Sequence, residues 1–404
     1  ETPDTSKTMS PPVHQKKTIE HKIRVLLVDD QAISGEYVKR CLANVPDLEF
    51  HHCMDPSKAV ELANKIQPTV ILQDLVMPEI DGLMLVKFFR VNPTTRDTPM
   101  IVLSSKEEAT IKAESFARGA NDYLVKWPEA VELVARIRYH SNGYIHLLER
   151  NEAYAALETS QKALAAEIAA GSAYVQSLLP APMTDPLAID WRYVPCADLA
   201  GDSLGFHTLD DEHVAIYLLD VTGHGLASAL LGVTVMNVLR AKSLPNTDFR
   251  KPGEVLGALN EAFPMENQNN NCFSIWYAVL HLPTRTLRWS GGGHPASLLF
   301  TPDQPNTAIQ LESDGPIIGM MPWPEFESSE RQVPPGSRLY VYSDGAQEIH
   351  LADGTEWPFE EFIQFMAQPV NSDSSIMDRL LAHVRMLRGS KTLDDDFSII
   401  EATL

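Results

Sequence analysis

At 404 residues the chain is too long for one compact core, and a size of ~100–200 residues per domain implies two to three domains. Its 44% hydrophobic and 22% charged residues are those of a globular chain and exclude a wholly disordered one. A formal net charge of −21, from 54 acidic against 33 basic residues, argues against a non-specific grip on nucleic acid or an anionic membrane, because both need a basic face.

Residues 1–22 are polar, lack the apolar run of a signal peptide and are expected to form a disordered tail. No stretch approaches the ~18 consecutive apolar residues of a membrane-spanning helix, so a cytoplasmic protein is expected. Cys41, Cys53, Cys196 and Cys272 are scattered without a Cys-x-x-Cys pair, which fits reduced thiols and neither a disulfide frame nor a zinc site.

Residues 23–130 alternate short apolar runs with amphipathic stretches. Arg24–Val28, Thr69–Gln73, Met100–Leu103 and Asp122–Val125 are too short for helices and rich in β-branched residues, as buried parallel strands are. Ala32–Asn44 and Pro56–Ile66 between them have helical spacing. This alternation predicts a doubly wound α/β parallel sheet with its site at the carboxyl ends of the strands. Asp29, Asp30 and Asp74 fall at those ends, where crowded carboxylates repel one another and a hard divalent cation such as Mg²⁺ relieves the repulsion. Asp74 is then placed to act as a nucleophile towards phosphorus, with the Ser104 hydroxyl and the Lys126 ammonium at neighbouring strand ends.

The run Asp74-Leu75-Val76-Met77-Pro78-Glu79-Ile80-Asp81-Gly82 resembles the receiver domain of response regulators, and the likeness extends from Ile23 to about Tyr139. The resemblance implies that Asp74 is the phosphoacceptor, Asp29 and Asp30 help hold Mg²⁺, Ser104 and Lys126 contact the phosphoryl group, and Tyr123 is the switch aromatic. It also implies a histidine kinase or phosphotransfer protein as partner. Trp127 stands where the family has proline directly after the lysine, a peptide that is often cis there.

Residues 131–180 contain no strand signal, and no proline occurs between Pro128 and Pro180. Leu147, Tyr154, Gln161, Ile168 and Val175 form one seven-residue series, and Leu157, Leu164, Gly171 and Leu178 a second. That spacing predicts a long helical linker, with a coiled-coil seam through which the chain would form a homodimer.

Residues 181–404 mix strands with helices and predict an α+β sandwich. Strands are expected at Val214–Leu219, Ser274–Leu280, Thr286–Ser290, Ser297–Phe300, Arg338–Tyr342 and Phe397–Ala402. Helices are expected at Leu226–Arg240, Pro252–Phe263 and Ser375–Leu387. Acidic signals recur at Gly201-Asp202, Asp220-Val221-Thr222-Gly223-His224-Gly225, Ser343-Asp344-Gly345 and Asp394-Asp395-Asp396. Singly these are ordinary turns and solvated loops. Together they supply enough hard oxygens for two Mn²⁺ or Mg²⁺ ions and an activated water.

This half resembles the metal-dependent phosphatases of the 2C class, in the subgroup of the stage II sporulation phosphatase, which carries these motifs in this order. A Gly-His-Pro turn at Gly293-His294-Pro295 and a Gly-x-x-x-Gly loop at Gly315–Gly319 match as well. The resemblance implies that Asp202 and Asp220 bridge the two metals with help from the Val221 carbonyl. Asp344 and Asp395 would complete one shell, with Asp396 the alternative to Asp395, and His224 would be a general acid or a loop-fixing residue. Where the subgroup has Gly-Gly-Asp and then an aromatic, this chain has Ala200-Gly201-Asp202-Ser203. Arg192 is the nearest candidate for a phosphate clamp.

Receiver, helical linker and phosphatase in this order resemble the RssB-like regulators of the general stress sigma factor. The resemblance implies a phosphorylated anti-sigma-factor antagonist as substrate, with the stress sigma factor itself a further partner. The competing expectation is a non-enzymatic adaptor that binds the sigma factor or an anti-sigma component through a phosphatase-like fold. Retention of the metal acids favours the enzyme. A DNA-binding output is disfavoured, because the C-terminal half shows neither a helix-turn-helix nor a basic face.

Overall fold

The structure is a computed structural model. It describes residues 21–404 apart from 79, 106–107, 198, 224, 323–324, 352–353 and 370–374, so the tail expected at residues 1–22 lies almost wholly outside the described residues. The chain divides into two compact units, Glu1–Gln161 and Lys162–Leu404, with the boundary inside one long helix.

In the first unit the strands are β1 (Ile23–Val28), β2 (Leu48–Cys53), β3 (Val70–Asp74), β4 (Met100–Ser104) and β5 (Asp122–Val125). They form a parallel sheet in the order β2-β1-β3-β4-β5. Helices α1 (Ala32–Leu42), α2 (Ala59–Ile66), α3 (Gly82–Val91) and α4 (Ala109–Ala117) connect them, as the doubly wound reading required. Central strands β3 and β4 are buried along their whole length, which is why they appear in the sequence as unbroken apolar runs. β2 was not anticipated: Leu-Glu-Phe-His-His-Cys at the sheet edge is only half-buried and carries three polar residues.

Helix α5 runs from Ala130 to Ser177, 48 residues. Its first turns bury Leu133, Ile137, Ser141 and Ile145 on the receiver, and Arg136 and His140 both reach the Asp122 carboxylate at the start of β5. From Asn151 to Ala170 nearly every side chain is exposed, including Tyr154, Leu157 and Leu164.

The second unit holds two antiparallel five-stranded sheets. The strands in chain order are β6 (Ala188–Val194), β7 (Ser203–Thr208), β8 (His213–Val221), β9 (Phe273–His281), β10 (Thr286–Gly292), β11 (Ser297–Thr301), β12 (Gln304–Leu311), β13 (Ser329–Gln332), β14 (Arg338–Tyr342) and β15 (Phe397–Thr403). One sheet is ordered β13-β10-β9-β8-β7 and the other β12-β11-β14-β15-β6. Alternate residues of each face inward to a shared core, among them Val214, Ile216 and Leu218 from β8 and Leu339 and Val341 from β14. The opposite face of the first sheet is covered by α6 (Leu226–Arg240) and α7 (Pro252–Ala262). That of the second is covered by α8 (Phe359–Met366) and α9 (Ile376–Arg388). The unit is thus a four-layer α+β sandwich, as expected from its strand and helix mixture. All four cysteines are free thiols, and no described helix is long and apolar enough to cross a membrane.

Candidate metal centres

In the receiver the sheet brings Asp29, Asp30 and Asp74 together at the carboxyl ends of β1 and β3, with one carboxylate oxygen from each inside a 4.8 Å span. Asp29 and Asp74 are buried, at 0% and 1% exposure. Burial raises the Asp74 carboxyl above its ordinary range, and Lys126 and the Val76 amide oppose that shift. The Lys126 ammonium lies 2.8 Å from both Asp29 Oδ2 and Asp74 Oδ2. Burial works against its charge, but the two carboxylates outweigh burial and raise its pKa. Ser104 ends β4 beside Asp74, and Tyr123 is turned inward at 4% exposure. Gly82 opens α3 where a Cβ would stand 2.3 Å from the Asp74 carbonyl oxygen, and the Asp81 carboxylate caps the helix through the Leu83 amide. The Asp81-Gly82 pair is therefore what lets α3 start against the end of β3. The peptide Lys126–Trp127 is cis, so the family's geometry after the lysine persists with tryptophan there. Trp127 meets the Tyr37 ring edge-on at 5.0 Å, and the Tyr37 hydroxyl donates to the Pro128 carbonyl at 2.6 Å.

In the second unit the acids come from the ends of both sheets. Ser203 of β7 pairs with Leu219 of β8, which sets Asp202 beside Asp220. Asp344 follows β14, and Asp395 and Asp396 precede β15, its hydrogen-bonded neighbour. Gly201 lies so close to the next strand end that a Cβ there would stand 2.6 Å from the Val221 carbonyl oxygen. Positive φ values at Gly223 and Gly225 turn the chain from β8 into α6. His224, between them, lies outside the described residues.

Asp202 is 2% exposed, and neither of its carboxylate oxygens has a hydrogen-bond partner among the described residues. Burial, reinforced by the charges of Asp220 and Asp396, holds its carboxyl well above the usual range, and the nearby Ser398 and Ser343 hydroxyls only soften that shift. Asp220 is pushed up to about 8 by burial and by the charges of Asp344, Asp395 and Asp396. Asp344 is raised by burial and by Asp395. Four carboxylates that disfavour one another's ionisation, one of them buried without a donor, form a pocket of negative charge with an unmet demand for cations. The all-oxygen donor set suits hard divalent ions such as Mg²⁺ or Mn²⁺.

Asp396 behaves differently from its neighbours. Its carboxylate accepts from the Cys196 amide at 2.9 Å and the Gly201 amide at 2.8 Å, so it ties the Gly201-Asp202 loop to the start of β15. Asp396, Asp395 and the Cys196 thiol each bring one possible ligand atom within 4.8 Å of the others. Arg192 is not a phosphate clamp: its guanidinium is spent on Asp378 and Asp190, binding β6 to α9. Ser203, where an aromatic is usual, packs against α6, with Oγ only 2.6 Å from where a Gly232 Cβ would stand. A larger side chain at either position would push the helix away.

Beside these acids lies an open cavity of about 580 Å³ whose lining includes Asp220, Asp344, Thr222, Ser274, Ser343 and His294. Glu348 lines it too, and its charge helps to raise the Asp344 carboxyl. Sequence reasoning missed the cavity's Thr222, Ser274 and Gln347 because a single polar residue at a strand end carries no distinguishing pattern. His294 was visible only as part of a turn motif. It is 7% exposed, and burial holds its imidazole down at about 4, so it is neutral.

Residues 25–138 match the family model of the response regulator receiver domain, and residues 210–404 match that of stage II sporulation protein E. The phosphoserine phosphatase RsbP of Bacillus subtilis is 28% identical over 171 residues, covering 41% of this chain and 41% of that protein. A protein-glutamate methylesterase/protein-glutamine glutaminase of Carboxydothermus hydrogenoformans is 37% identical over 115 residues, covering 28% of this chain and 32% of its own length. The chain thus spans less than half the length of these curated relatives. Among solved structures, the SiaA-PP2C domain of Pseudomonas aeruginosa superposes with a TM-score of 0.51 at 16% identity, covering 61% of this chain and 98% of that one, a likeness of fold. The chain thus joins, through one long helix, a stretch that matches the response regulator receiver domain (residues 25–138) to a stretch that matches stage II sporulation protein E (residues 210–404) and shares the fold of a PP2C domain.

Proposed function

We propose that the receiver is phosphorylated on Asp74 and thereby controls a Mg²⁺- or Mn²⁺-dependent protein serine/threonine phosphatase in the second unit. The observation that carries the enzymatic half is Asp202, a buried carboxylate whose two oxygens lack donors and which stands next to Asp220. Burial disfavours the charged form of Asp202, and a carboxyl that a bound cation would let ionise serves metal binding and gives a docking scaffold nothing.

Asp202, Asp220, the Val221 carbonyl, Asp344 and Asp395, with Asp396 the alternative to Asp395, would hold two divalent ions. Bound there, the ions supply positive charge for a phosphoryl group and lower the pKa of water. The chain's own part is positional: Asp396 fixes the Gly201-Asp202 loop through two amides, and the 580 Å³ cavity admits a phosphorylated side chain beside Asp220 and Asp344.

In the receiver, Asp74 would take the phosphoryl group from a histidine kinase or phosphotransfer protein, with Mg²⁺ held by Asp29 and Asp30. Lys126, already 2.8 Å from Asp74, would hold a phosphoryl oxygen, and Ser104 and Tyr123 would pass the change on. The substrate proposed is a phosphorylated anti-sigma-factor antagonist in stress sigma factor control, a reading supported by the likeness to RsbP, itself a phosphoserine phosphatase. Pairing of α5 between two copies would make the working form a homodimer.

The test is Mn²⁺-dependent hydrolysis of p-nitrophenyl phosphate by the native chain and by Asp202→Ala and Asp344→Ala. The native chain should turn over and each variant should lose at least ~100-fold, since each removes a ligand of the charge-stabilising centre. Equal rates in all three, or an inactive native chain, would falsify the enzymatic reading.

A further inference from the structure

At the other end of β8, seven residues or roughly 23 Å from Asp220, the first sheet carries a second polar cavity of about 410 Å³. It forms where the sheet runs on past α6 and α7. His213, His281, Thr286, Arg288 and Gln332 are cross-strand neighbours there: His213 opposes His281, Thr286 opposes both His281 and Gln332, and Arg288 lies one pair further along β10. Arg250 enters from the loop before α7. In a chain with a net charge of −21, this lining contains two arginines, two histidines, two threonines and a glutamine but no carboxylate.

The acids that balance these cations stand outside the cavity. Asp248 takes Nε and one Nη of Arg250 at 2.9 and 3.1 Å, and Glu330 takes Nε of Arg288 at 2.9 Å. Among the described residues no hydrogen bond engages the second Nη of Arg250 or either Nη of Arg288. Both guanidinium groups are about half exposed, so their pairs with Asp248 and Glu330 contribute little and exchange readily. The histidine rings lie 4.6 Å apart at a 31° tilt, with His213 Nδ1 2.7 Å from Asp210. Gln332 donates to Thr286 Oγ1, which meets Thr284 Oγ1, which in turn reaches His281 Nδ1 at 2.6 Å. That chain fixes ring and hydroxyls in place on a rigid sheet face.

We infer that this cavity binds a phosphoryl group, gripped by the guanidinium edges of Arg250 and Arg288 that no carboxylate takes, with the Thr284 and Thr286 hydroxyls beneath. The two imidazoles, held by Asp210 and Glu212, form the cavity wall. Planar guanidinium edges match tetrahedral oxyanions through paired N–H donors, and a sheet holds the donors in fixed register. Free inorganic phosphate and a phosphoserine side chain present the same group.

The test is titration of the full chain by calorimetry in EDTA, where the acidic centre carries no metal and repels anions. The probes are inorganic phosphate and, separately, N-acetyl-phosphoserine amide. Saturable binding of phosphate is expected, weakened about tenfold by Arg250→Ala and by Arg288→Ala and abolished by the double variant, as for loss of a charge-assisted bond. The variants' circular dichroism should match that of the native chain, because both side chains are half exposed. Phosphoserine amide binding as tightly as phosphate would assign the site to a phosphorylated side chain, and preference for phosphate would assign it to the free ion. No saturable binding of either probe, or binding unchanged in both arginine variants, would overturn the inference.

Discussion

Asp396 and Asp395 are adjacent acids with different partners. Asp396 is 4% exposed and accepts from the Cys196 and Gly201 amides of a distant segment; Asp395 accepts from the Asp396 amide next to it. The charges of both raise Asp220 and Asp344. Hydrogen bonds to a charged acceptor contribute about 1.5–3 kcal/mol each, so Asp396→Ala, which cuts two ties to the Gly201-Asp202 loop, should destabilise the metal-free chain by about 2–4 kcal/mol in urea unfolding. Asp395→Ala loses one local bond together with a repelling charge and should cost less. Equal losses in the two variants would contradict this difference.

The same crowding sets a pH dependence. Asp220 is raised to about 8 and burial also holds Asp202 well above the usual range, so the folded metal-free chain holds protons that the unfolded chain gives up near pH 4. Stability in EDTA should therefore fall as pH rises from about 5 to 8, since the folded state is then the one that binds more protons. Saturating Mn²⁺ should flatten that slope. A slope unchanged by Mn²⁺ would mean that these carboxylates hold no metal. The acids themselves were legible in the sequence because their motifs pair acid with glycine at strand ends. What Asp396, His294 and Arg192 do was not, because it depends on which amide, cavity or carboxylate folding brings beside them.

The elements found from sequence alone were those with strong period or long burial. β3, β4, β8 and β9 are buried nearly end to end, and α6 was bounded correctly by Gly225 before it and Arg240 in its last turn. β12 and β13 escaped because they are edge strands: β13 is exposed and polar throughout, and β12 turns inward only near its end, at Ala308, Ile309 and Leu311; β7 escaped because Ser-Leu-Gly-Phe-His-Thr is short and broken by glycine. α8, only eight residues long, offers too few turns to show a period.

Helix α5 was expected, and its middle shows why a partner is proposed for it. Leu157 and Leu164 are more than half exposed in a stretch that packs on little else. An isolated helix of that kind needs another surface to be stable. Leu157→Glu with Leu164→Glu should convert the chain from dimer to monomer in sedimentation experiments while its circular dichroism is retained. A native chain that already sediments as a monomer would remove the dimer from the account.

At the scale of the whole molecule, two acidic centres sit in two separately built units, and a small part of the negative charge lies in them. The chemistry proposed for the receiver rests on Asp74, buried at 1% exposure and paired with Lys126. Asp74→Asn keeps the side chain's shape but cannot accept a phosphoryl group, so it should stay folded and remain unresponsive to acetyl phosphate.

Control of the second unit's centre through Asp74 is the central claim. The most direct measurement is Mn²⁺-dependent turnover of p-nitrophenyl phosphate by the full chain with and without beryllofluoride, a phosphoryl analogue for Asp74, using Asp74→Asn as control. The account predicts that beryllofluoride changes the native rate severalfold and leaves the Asp74→Asn rate where the same additive alone puts it. Identical responses in the two proteins would contradict control of the phosphatase through Asp74.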